Sequence, residues 1–137
     1  LQIHVLPFLA QDDYDRLLWS CDLNAVRGED SFIRAQWAGR PLLWHIYPQE
    51  EGAHWDKLEA FLDLYGAELS SAVAAAHAAW WRAWNAGEGM EQAWPALLQA
   101  WPVLQQHAER WCDSQAARPD LATALEQFYL NWLSYAA

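Results

Sequence analysis

Residues 23–31, LNAVRGEDS, decide the predicted fold, because a short apolar run here leads directly into a polar turn. Residues 23–26 have the length and composition of a short buried strand. Residues 27–31 are typical of a turn, and Asp30 or Ser31 is a suitable N-cap for the helix that follows. The stretch therefore predicts a strand, a turn and a helix in direct succession.

Strand-like and helical stretches alternate on both sides of this turn as far as Gly66. The predicted elements are a strand over 1–8, a helix over 11–21, the strand over 23–26, a helix from the turn to about residue 38, a strand over 42–47 and a helix over 54–65. This order predicts an α/β fold with a parallel sheet and right-handed crossovers. Because both faces of a parallel sheet must be covered, three short strands are few, and we expect further strands on the N-terminal side.

From residue 67 onward the sequence predicts helices alone. Two similar heptads, AWPALLQ over 93–99 and AWPVLQQ over 100–106, each contain a proline, and Pro102 is expected to kink or restart the helix. A last helix opens after Pro119, and its apolar residues Leu121, Leu125, Phe128 and Trp132 are expected to face inward. The predicted organisation is thus a β/α portion over 1–66 and a helical region over 67–137 that packs on it.

Composition narrows the classes of function. The 137 residues carry a formal charge of −10, and 54% of them are hydrophobic, including 11 Trp. A chain of this kind can bury a core, which argues against disorder, and its acidity argues against a nucleic-acid or anionic-membrane surface. No uncharged apolar run reaches the roughly 18 residues of a membrane span, and the N-terminus carries no signal-peptide pattern. Two cysteines far apart in sequence suit a reducing cytosol.

The turn after residue 26 has the features of a phosphate site. Ligands of open parallel sheets bind at the carboxyl ends of the strands, and free N–H groups at a helix N-terminus attract phosphate. Gly28 permits a close approach of the backbone, and Arg27 can add a bidentate contact. Glu29 and Asp30 would repel a diphosphate but can accept hydrogen bonds from sugar hydroxyls. The alternative is a capped helix start with an incidental salt bridge.

Other chemistry-bearing residues give weaker signals. The five histidines form no HxxxH or HExxH pattern, and Glu50 with His54 supplies only two ligands, so no metal site is predicted. Cys21 lacks a neighbour that would activate it and is interpreted as a structural thiol. The Trp-rich C-terminal part is interpreted as core or an inter-domain contact, with a carbohydrate-stacking or partner-binding face as the alternative.

A longer motif around the turn resembles a known family. Residues 22–39, DLNAVRGEDSFIRAQWAG, followed by Pro41 and by WHIYPQ over 44–49, closely resemble the EarP family, the protein-arginine rhamnosyltransferases that modify translation elongation factor P. The similar stretch extends from about residue 6 to residue 65. The resemblance implies an inverting GT-B enzyme of two domains, which moves rhamnose from dTDP-β-L-rhamnose to an arginine. It also implies that this chain is the Rossmann-like, donor-binding latter part of the C-terminal domain, with few parallel strands and a helical tail.

The same resemblance implies roles for individual residues. The RGEDS segment, residues 27–31, places donor binding on Arg27, Gly28, Asp30 and Ser31 and a requirement for activity on Glu29. Upstream, the nucleotide-contacting Gln of the family falls on Gln11, and the aromatics that enclose its thymine fall on Phe8 and Tyr14. The catalytic aspartates of the family belong to the N-terminal domain, which matches no part of this chain, so the general base is expected elsewhere.

The resemblance further implies a cytoplasmic enzyme with elongation factor P as its acceptor and no nucleic-acid or membrane partner. No cofactor and no metal are expected, because a helix dipole and an Arg can stabilise the leaving nucleotide. Two other classes stay open. One is a different GT-B enzyme acting on a sugar nucleotide, and the other is a non-catalytic helical module whose Trp-rich tail docks a partner.

Overall fold

The computed structural model describes residues 2–135 of the chain. The elements in order are α1 (Gln11–Ser20), β1 (Asn24–Arg27), α2 (Glu29–Trp37), β2 (Leu42–His45), a single 3₁₀ turn (Glu50–Gly52), α3 (Ala53–Gly66), α4 (Ser71–Ala86), α5 (Met90–Ala116) and α6 (Leu121–Tyr135). The fold is mostly helical, with a small parallel sheet near its N-terminal end. No helix in this part of the chain is both long and apolar enough to cross a bilayer.

The sheet consists of β1 and β2, which run parallel with Asn24 opposite Leu42 and Arg27 opposite His45. Helix α2 connects the two strands, so the predicted β-α-β unit is confirmed. The residues from Leu42 to Trp44 are all buried, which explains the continuous apolar composition of β2. Because the strands are parallel, the segments that follow Arg27 and His45 emerge at the same edge of the sheet.

The predicted N-terminal strand is not formed in residues 2–8, which have no regular secondary structure, and Leu1 lies outside the described residues. Ile3 and Val5 are 77% and 93% exposed. Alternation of apolar residues predicts a face that can be buried, but a strand forms only when a neighbour accepts and donates its backbone hydrogen bonds. In the described part of the chain, β1 and β2 pair only with each other.

Helix α2 begins earlier than predicted, with Gly28 rather than Asp30 or Ser31 at the N-cap position. Gly28 has φ of 85°, a region that favours glycine, and its carbonyl accepts the first helical hydrogen bond from Phe32 N at 3.2 Å. The Asp30 carboxylate is therefore inside the first turn, where it bonds Arg34 four residues on. The turn from β1 into α2 is thus one residue long.

The helices α4 and α5 pack along each other and form the core behind the sheet. Trp81 Nε1 on α4 donates to the carbonyl of Leu42 at 3.1 Å. Asn85, one turn later, donates to the Trp44 carbonyl at 2.9 Å and accepts from Ile46 N at 3.0 Å. These three bonds fix α4 along β2, from the first residue of the strand to the residue after its end.

The structure answers two predictions for the C-terminal helices. Helix α5 does not restart at Pro102, because it is a single helix that contains both Pro95 and Pro102. A proline removes one N–H donor, and the remaining bonds of a long helix hold it together. The predicted inward face of α6 is wrong, because its residues are exposed: Leu121 by 74%, Leu125 by 57%, Phe128 by 69% and Trp132 by 57%. Periodicity marks an apolar stripe, but burial needs a partner surface as well.

A candidate site at the carboxyl ends of the strands

A groove of about 680 Å³ lies between the extended N-terminal segment, the first turns of α1 and the N-terminus of α2. Its walls combine apolar residues of the segment with polar residues of the two helices. The lining residues are Leu6, Pro7, Phe8, Leu9, Ala10, Gln11, Tyr14, Leu17, Asp30 and Ser31. Five of the eight predicted site residues, which are Phe8, Gln11, Tyr14, Asp30 and Ser31, therefore share one groove although up to 23 positions separate them.

One wall of the groove is apolar and aromatic. The ring of Phe8 is fully exposed, and Tyr14 is half-buried on the inward face of α1. Aromatic rings that are open on one face can stack on a flat heterocycle. This wall therefore suits a nucleobase or another planar group.

The opposite wall is the N-terminus of α2. The first three N–H groups of this helix, from Glu29 to Ser31, precede the first helical hydrogen bond, which Phe32 donates. These groups and the helix dipole attract an anion, while Glu29 and Asp30 in the first turn oppose one. Glu29 is exposed, and its side chain has no hydrogen-bond or ion-pair partner among residues 2–135.

Arg27, Gly28 and Glu29 lie beside this wall, at the end of β1 and the start of α2, but they do not line the groove itself. The Arg27 guanidinium carbon stands 4.6 Å from the centre of the Tyr47 ring. A Cβ at Gly28 would come within 3.7 Å of the same ring. Tyr47 is thus a site residue that sequence reasoning missed. The signal was its position two residues after β2, whose parallel pairing brings it to the edge where Arg27 stands.

Arg34 on α2 forms hydrogen bonds with polar residues behind the groove. Its Nη1 donates to both carboxylate oxygens of Asp15 at 2.9 and 2.8 Å, and its Nε donates to Asp30 Oδ2 at 3.0 Å. The amide of Gln11 also lies against this guanidinium, with its oxygen as the acceptor once the amide is oriented accordingly. Hydrogen bonds to Asp15 and then Asp30 raise the pKa of Arg34, so it stays charged. Sequence reasoning missed Arg34 and Asp15.

Among residues 2–135, no three His, Cys, Asp or Glu side chains converge in a way that could hold an ion. His54 Nδ1 accepts a hydrogen bond from Gln49 N at 3.1 Å. The positive groups of the site are Arg27, Arg34 and the start of α2.

The fold and the groove define a class: an α/β unit of the kind that binds its ligand where parallel strands end and a helix begins. Its family follows from comparison with known proteins. The profile of a family described as Elongation-Factor P (EF-P) rhamnosyltransferase EarP matches residues 1–130. The chain belongs to this family, and the resemblance found in the sequence is confirmed.

The relatives are considerably longer than this chain. A protein-arginine rhamnosyltransferase of Pseudomonas aeruginosa is 62% identical over 133 residues, which are 97% of this chain and 35% of that protein. The corresponding proteins of Pseudomonas putida and Shewanella oneidensis are 65% identical over 133 residues (97% and 35%) and 46% identical over 130 residues (93% and 33%). The chain thus spans about a third of the length of the curated relatives it matches.

A solved structure is similar as well. It is described as "Structural basis for EarP-mediated arginine glycosylation of translation elongation factor EF-P", and it is 62% identical to this chain with a TM-score of 0.78. The similarity covers 91% of this chain and 39% of the solved one. The backbone of the groove therefore belongs to a fold that a glycosyltransferase uses.

Proposed function

We propose that this chain is the donor-binding part of an inverting protein-arginine rhamnosyltransferase, which moves L-rhamnose from dTDP-β-L-rhamnose to an arginine of translation elongation factor P. In this proposal the chain forms the latter portion of the C-terminal domain of a two-domain GT-B enzyme. The observation that carries the proposal is the groove, where Phe8, Gln11 and Tyr14 face Asp30 and Ser31 at a helix N-terminus. Membership in the EarP family supports rhamnose as the sugar and elongation factor P as the acceptor.

The groove divides into parts that suit the parts of a nucleotide sugar. The thymine stacks on Phe8 beside Tyr14, and Gln11 offers an amide for its polar edge. The diphosphate lies at the N-terminus of α2, where Ser31 and free N–H groups donate to it and Arg27 adds a charge-assisted bond. Gly28 lets the backbone approach the phosphates, and the Asp30 carboxylate accepts from sugar hydroxyls.

The reaction needs one set of groups at the acceptor arginine and another at the leaving dTDP, on opposite sides of the sugar. A guanidinium is a poor nucleophile while protonated, since its pKa exceeds 12, so carboxylates must orient the acceptor arginine and take its proton. Glu29, which has no partner in the described chain, is free to orient that guanidinium or the donor. The general base belongs to the remainder of the protein. Arg27 and the helix N-terminus stabilise the charge that develops on the leaving dTDP, with no metal and no cofactor.

The setting of the reaction follows from its acceptor. A translation factor is a cytoplasmic protein, so we place the enzyme in the cytoplasm, acting without a nucleic-acid or membrane partner. The net charge of −10 supports this choice, because surfaces that bind nucleic acid or anionic lipid are basic.

The test combines transfer and binding. The full-length protein is incubated with dTDP-rhamnose and unmodified elongation factor P, and the expected result is a mass gain of one deoxyhexose on one arginine, with inversion at the anomeric carbon seen by NMR. The isolated 137-residue chain should give no transfer. A mass gain with another sugar nucleotide but none with dTDP-rhamnose would assign the site to a different glycosyltransferase.

Binding is measured by titration with dTDP-rhamnose. The variant Arg27→Ala should weaken affinity about 10- to 150-fold, as expected for the loss of one charge-assisted hydrogen bond. Arg118→Ala, an exposed arginine beyond α5, is the matched control and should bind like wild type. Equal affinity of all three proteins would remove Arg27 from the site, whereas no binding by the wild type would favour a helical interaction module without a donor site.

A further inference from the structure

Arg34 connects two helices that form opposite walls of the groove. Asp15 lies on α1, 19 residues before Arg34 on α2, and the guanidinium holds both oxygens of its carboxylate. The same guanidinium holds Asp30, and the Gln11 amide lies against it. Arg34 itself does not line the groove, whereas Gln11 and Asp30 do. One side chain outside the groove therefore contacts two residues inside it.

The geometry of this cluster is more constrained than that of an ordinary surface pair. The side chains of Arg34 and Asp15 are only 27% and 25% exposed, and both oxygens of Asp15 are engaged. The pair Arg16–Asp13 on the same helix is 71% and 57% exposed and makes one bond of 3.2 Å. Exposed pairs of that type fix little. Arg34 instead bonds Asp15 through Nη1 and Asp30 through Nε, so two of its nitrogens are held and the orientation of the guanidinium is set as well as its distance.

Charge gives Arg34 a second effect. Asp15 and Asp30 are two carboxylates next to a groove proposed for a diphosphate, and like charges at short range repel one another. Asp15 is partly buried, whereas the Asp30 side chain is exposed. The Arg34 guanidinium leaves the cluster with one net negative charge instead of two. It also draws the Asp30 carboxylate toward residue 34 of its own helix, so that one oxygen is engaged away from the phosphate position.

We infer that Arg34 is a positioning residue for the donor: it fixes Gln11 and Asp30, holds α1 at its distance from α2 and offsets the charge of the two carboxylates. The inference rests on the proposed function, since it concerns the same nucleotide-sugar groove. Arg34 acts through its neighbours and makes no contact with the donor. Its loss should therefore weaken ground-state binding of the donor while a donor-saturated enzyme still turns over.

The experiment compares four variants of the full-length protein with wild type. Arg34→Gln removes the charge. Arg34→Lys keeps the charge but cannot hydrogen-bond both carboxylates at once. Asp15→Asn weakens the ion pair to α1 and changes no residue that lines the groove. Arg82→Gln is the matched control, because Arg82 on α4 holds both oxygens of Glu59 on α3 at 2.7 and 2.6 Å. The measurements are Kd for dTDP-rhamnose, KM and kcat, taken well below each unfolding temperature.

The expected result is a split between KM and kcat. Arg34→Gln should raise Kd and KM for the donor about tenfold, the size of a lost charge-assisted bond, with kcat at saturating donor within about twofold of wild type. Arg34→Lys and Asp15→Asn should raise Kd about threefold. Arg82→Gln should lower thermal stability to a similar degree as Arg34→Gln but leave Kd unchanged.

Several outcomes would overturn the inference. Donor affinity of Arg34→Gln within twofold of wild type removes Arg34 from the site. An equal loss in Arg82→Gln means that general destabilisation, not positioning, lowers affinity. If Arg34→Gln does not fold, Arg34→Lys and Asp15→Asn decide, and wild-type affinity in both refutes the positioning role. A wild-type protein that binds no dTDP sugar refutes the proposed function itself, and the role of Arg34 in donor binding falls with it.

Discussion

The groove side of this molecule comprises the N-terminal segment, α1, β1, α2 and β2, and the helical side comprises α3, α4 and α5. The two sides differ in charge and in packing. The groove side contains two strands of four residues, the exposed Phe8 and the paired charges around Arg34. On the helical side, α3, α4 and α5 contribute a buried cluster of aromatic rings. The contrast shows that an exposed, charged groove stands beside a tightly packed apolar core.

The aromatic cluster is centred on Tyr65. The His77 ring lies 5.2 Å from it in a stacked arrangement, and the His107 ring meets it edge-on at 4.5 Å. His107 Nε2 donates to the Tyr65 carbonyl at 2.7 Å. Burial lowers the pKa of His77 to about 3 and also lowers that of His107, where the hydrogen bond to the Tyr65 carbonyl partly opposes the effect of burial. Both histidines are therefore neutral core residues rather than catalytic ones.

The largest expected effect is a loss of stability on the helical side. Leu97 on α5 is fully buried, and Leu97→Ala should cost about 3 kcal/mol of unfolding free energy through lost transfer energy and a cavity. Its neighbour Leu98 is 52% exposed, so Leu98→Ala should cost no more than about 0.5 kcal/mol. Urea denaturation of the two variants provides the measurement. Similar losses of unfolding free energy in both variants would mean that the buried face of α5 contributes no more to stability than its exposed face.

The next effect concerns activity alone. Glu29→Gln keeps the shape of an unpartnered side chain and removes its charge, so kcat/KM should fall about 100-fold, as for a positioned acid or base. Stability should change by no more than about 0.5 kcal/mol. The control is Glu91→Gln, which alters an exposed carboxylate at the same place in the first turn of α5.

A rate near wild type would remove Glu29 from the site. A large loss of stability instead would make it a structural carboxylate of the turn. A fall in kcat with donor affinity retained would place its action in the transition state.

Acidification should lower the free energy of unfolding through His77, which lies on the helical side. The folded protein excludes a proton from His77, while the unfolded chain binds one below its usual pKa of about 6.5, so the free energy of unfolding falls as pH falls. The expected loss from this residue is about 2 kcal/mol between pH 6.5 and 5, with no contribution above about pH 7.5.

The measurement is urea denaturation from pH 5 to 8. His77→Phe, which keeps a ring in the stack, should make the dependence shallower. The ion-paired Glu59 titrates at lower pH, because Arg82 lowers the pKa of its carboxyl. An unchanged slope in His77→Phe would show that another group takes up the proton.

The smallest effect tests the aromatic residue beside Arg27. Tyr47→Ala removes the ring under the guanidinium, a contact worth about 0.5–1 kcal/mol at an exposed site, so donor affinity should fall about two- to fivefold. Tyr47→Phe keeps the ring face and should bind like wild type. If Tyr47→Phe were as weak as Tyr47→Ala, the hydroxyl rather than the ring would be the contributing group.

Local patterns in the sequence determined most of the helices and both strands. The periodicities of α1 and α3 and the apolar run of β2 are local properties, and the order of elements then dictates a parallel pair. The turn from Arg27 to Ser31 was identifiable for a related reason, since a strand end, a glycine and a helix start are adjacent in the chain. The family resemblance added Phe8, Gln11 and Tyr14, and the groove brings these three together with Asp30 and Ser31.

Tertiary structure decided everything that depends on a partner far along the chain. Whether residues 2–8 pair as a strand and whether α6 is buried are set by neighbouring surfaces, which periodicity does not encode. The hydrogen bond from Arg34 to Asp15 joins residues 19 positions apart. The contact of the Arg27 guanidinium with the Tyr47 ring joins residues 20 positions apart. Such contacts arise because packing brings two elements together and fixes side-chain rotamers, and a charged side chain then binds whichever group lies within hydrogen-bond distance.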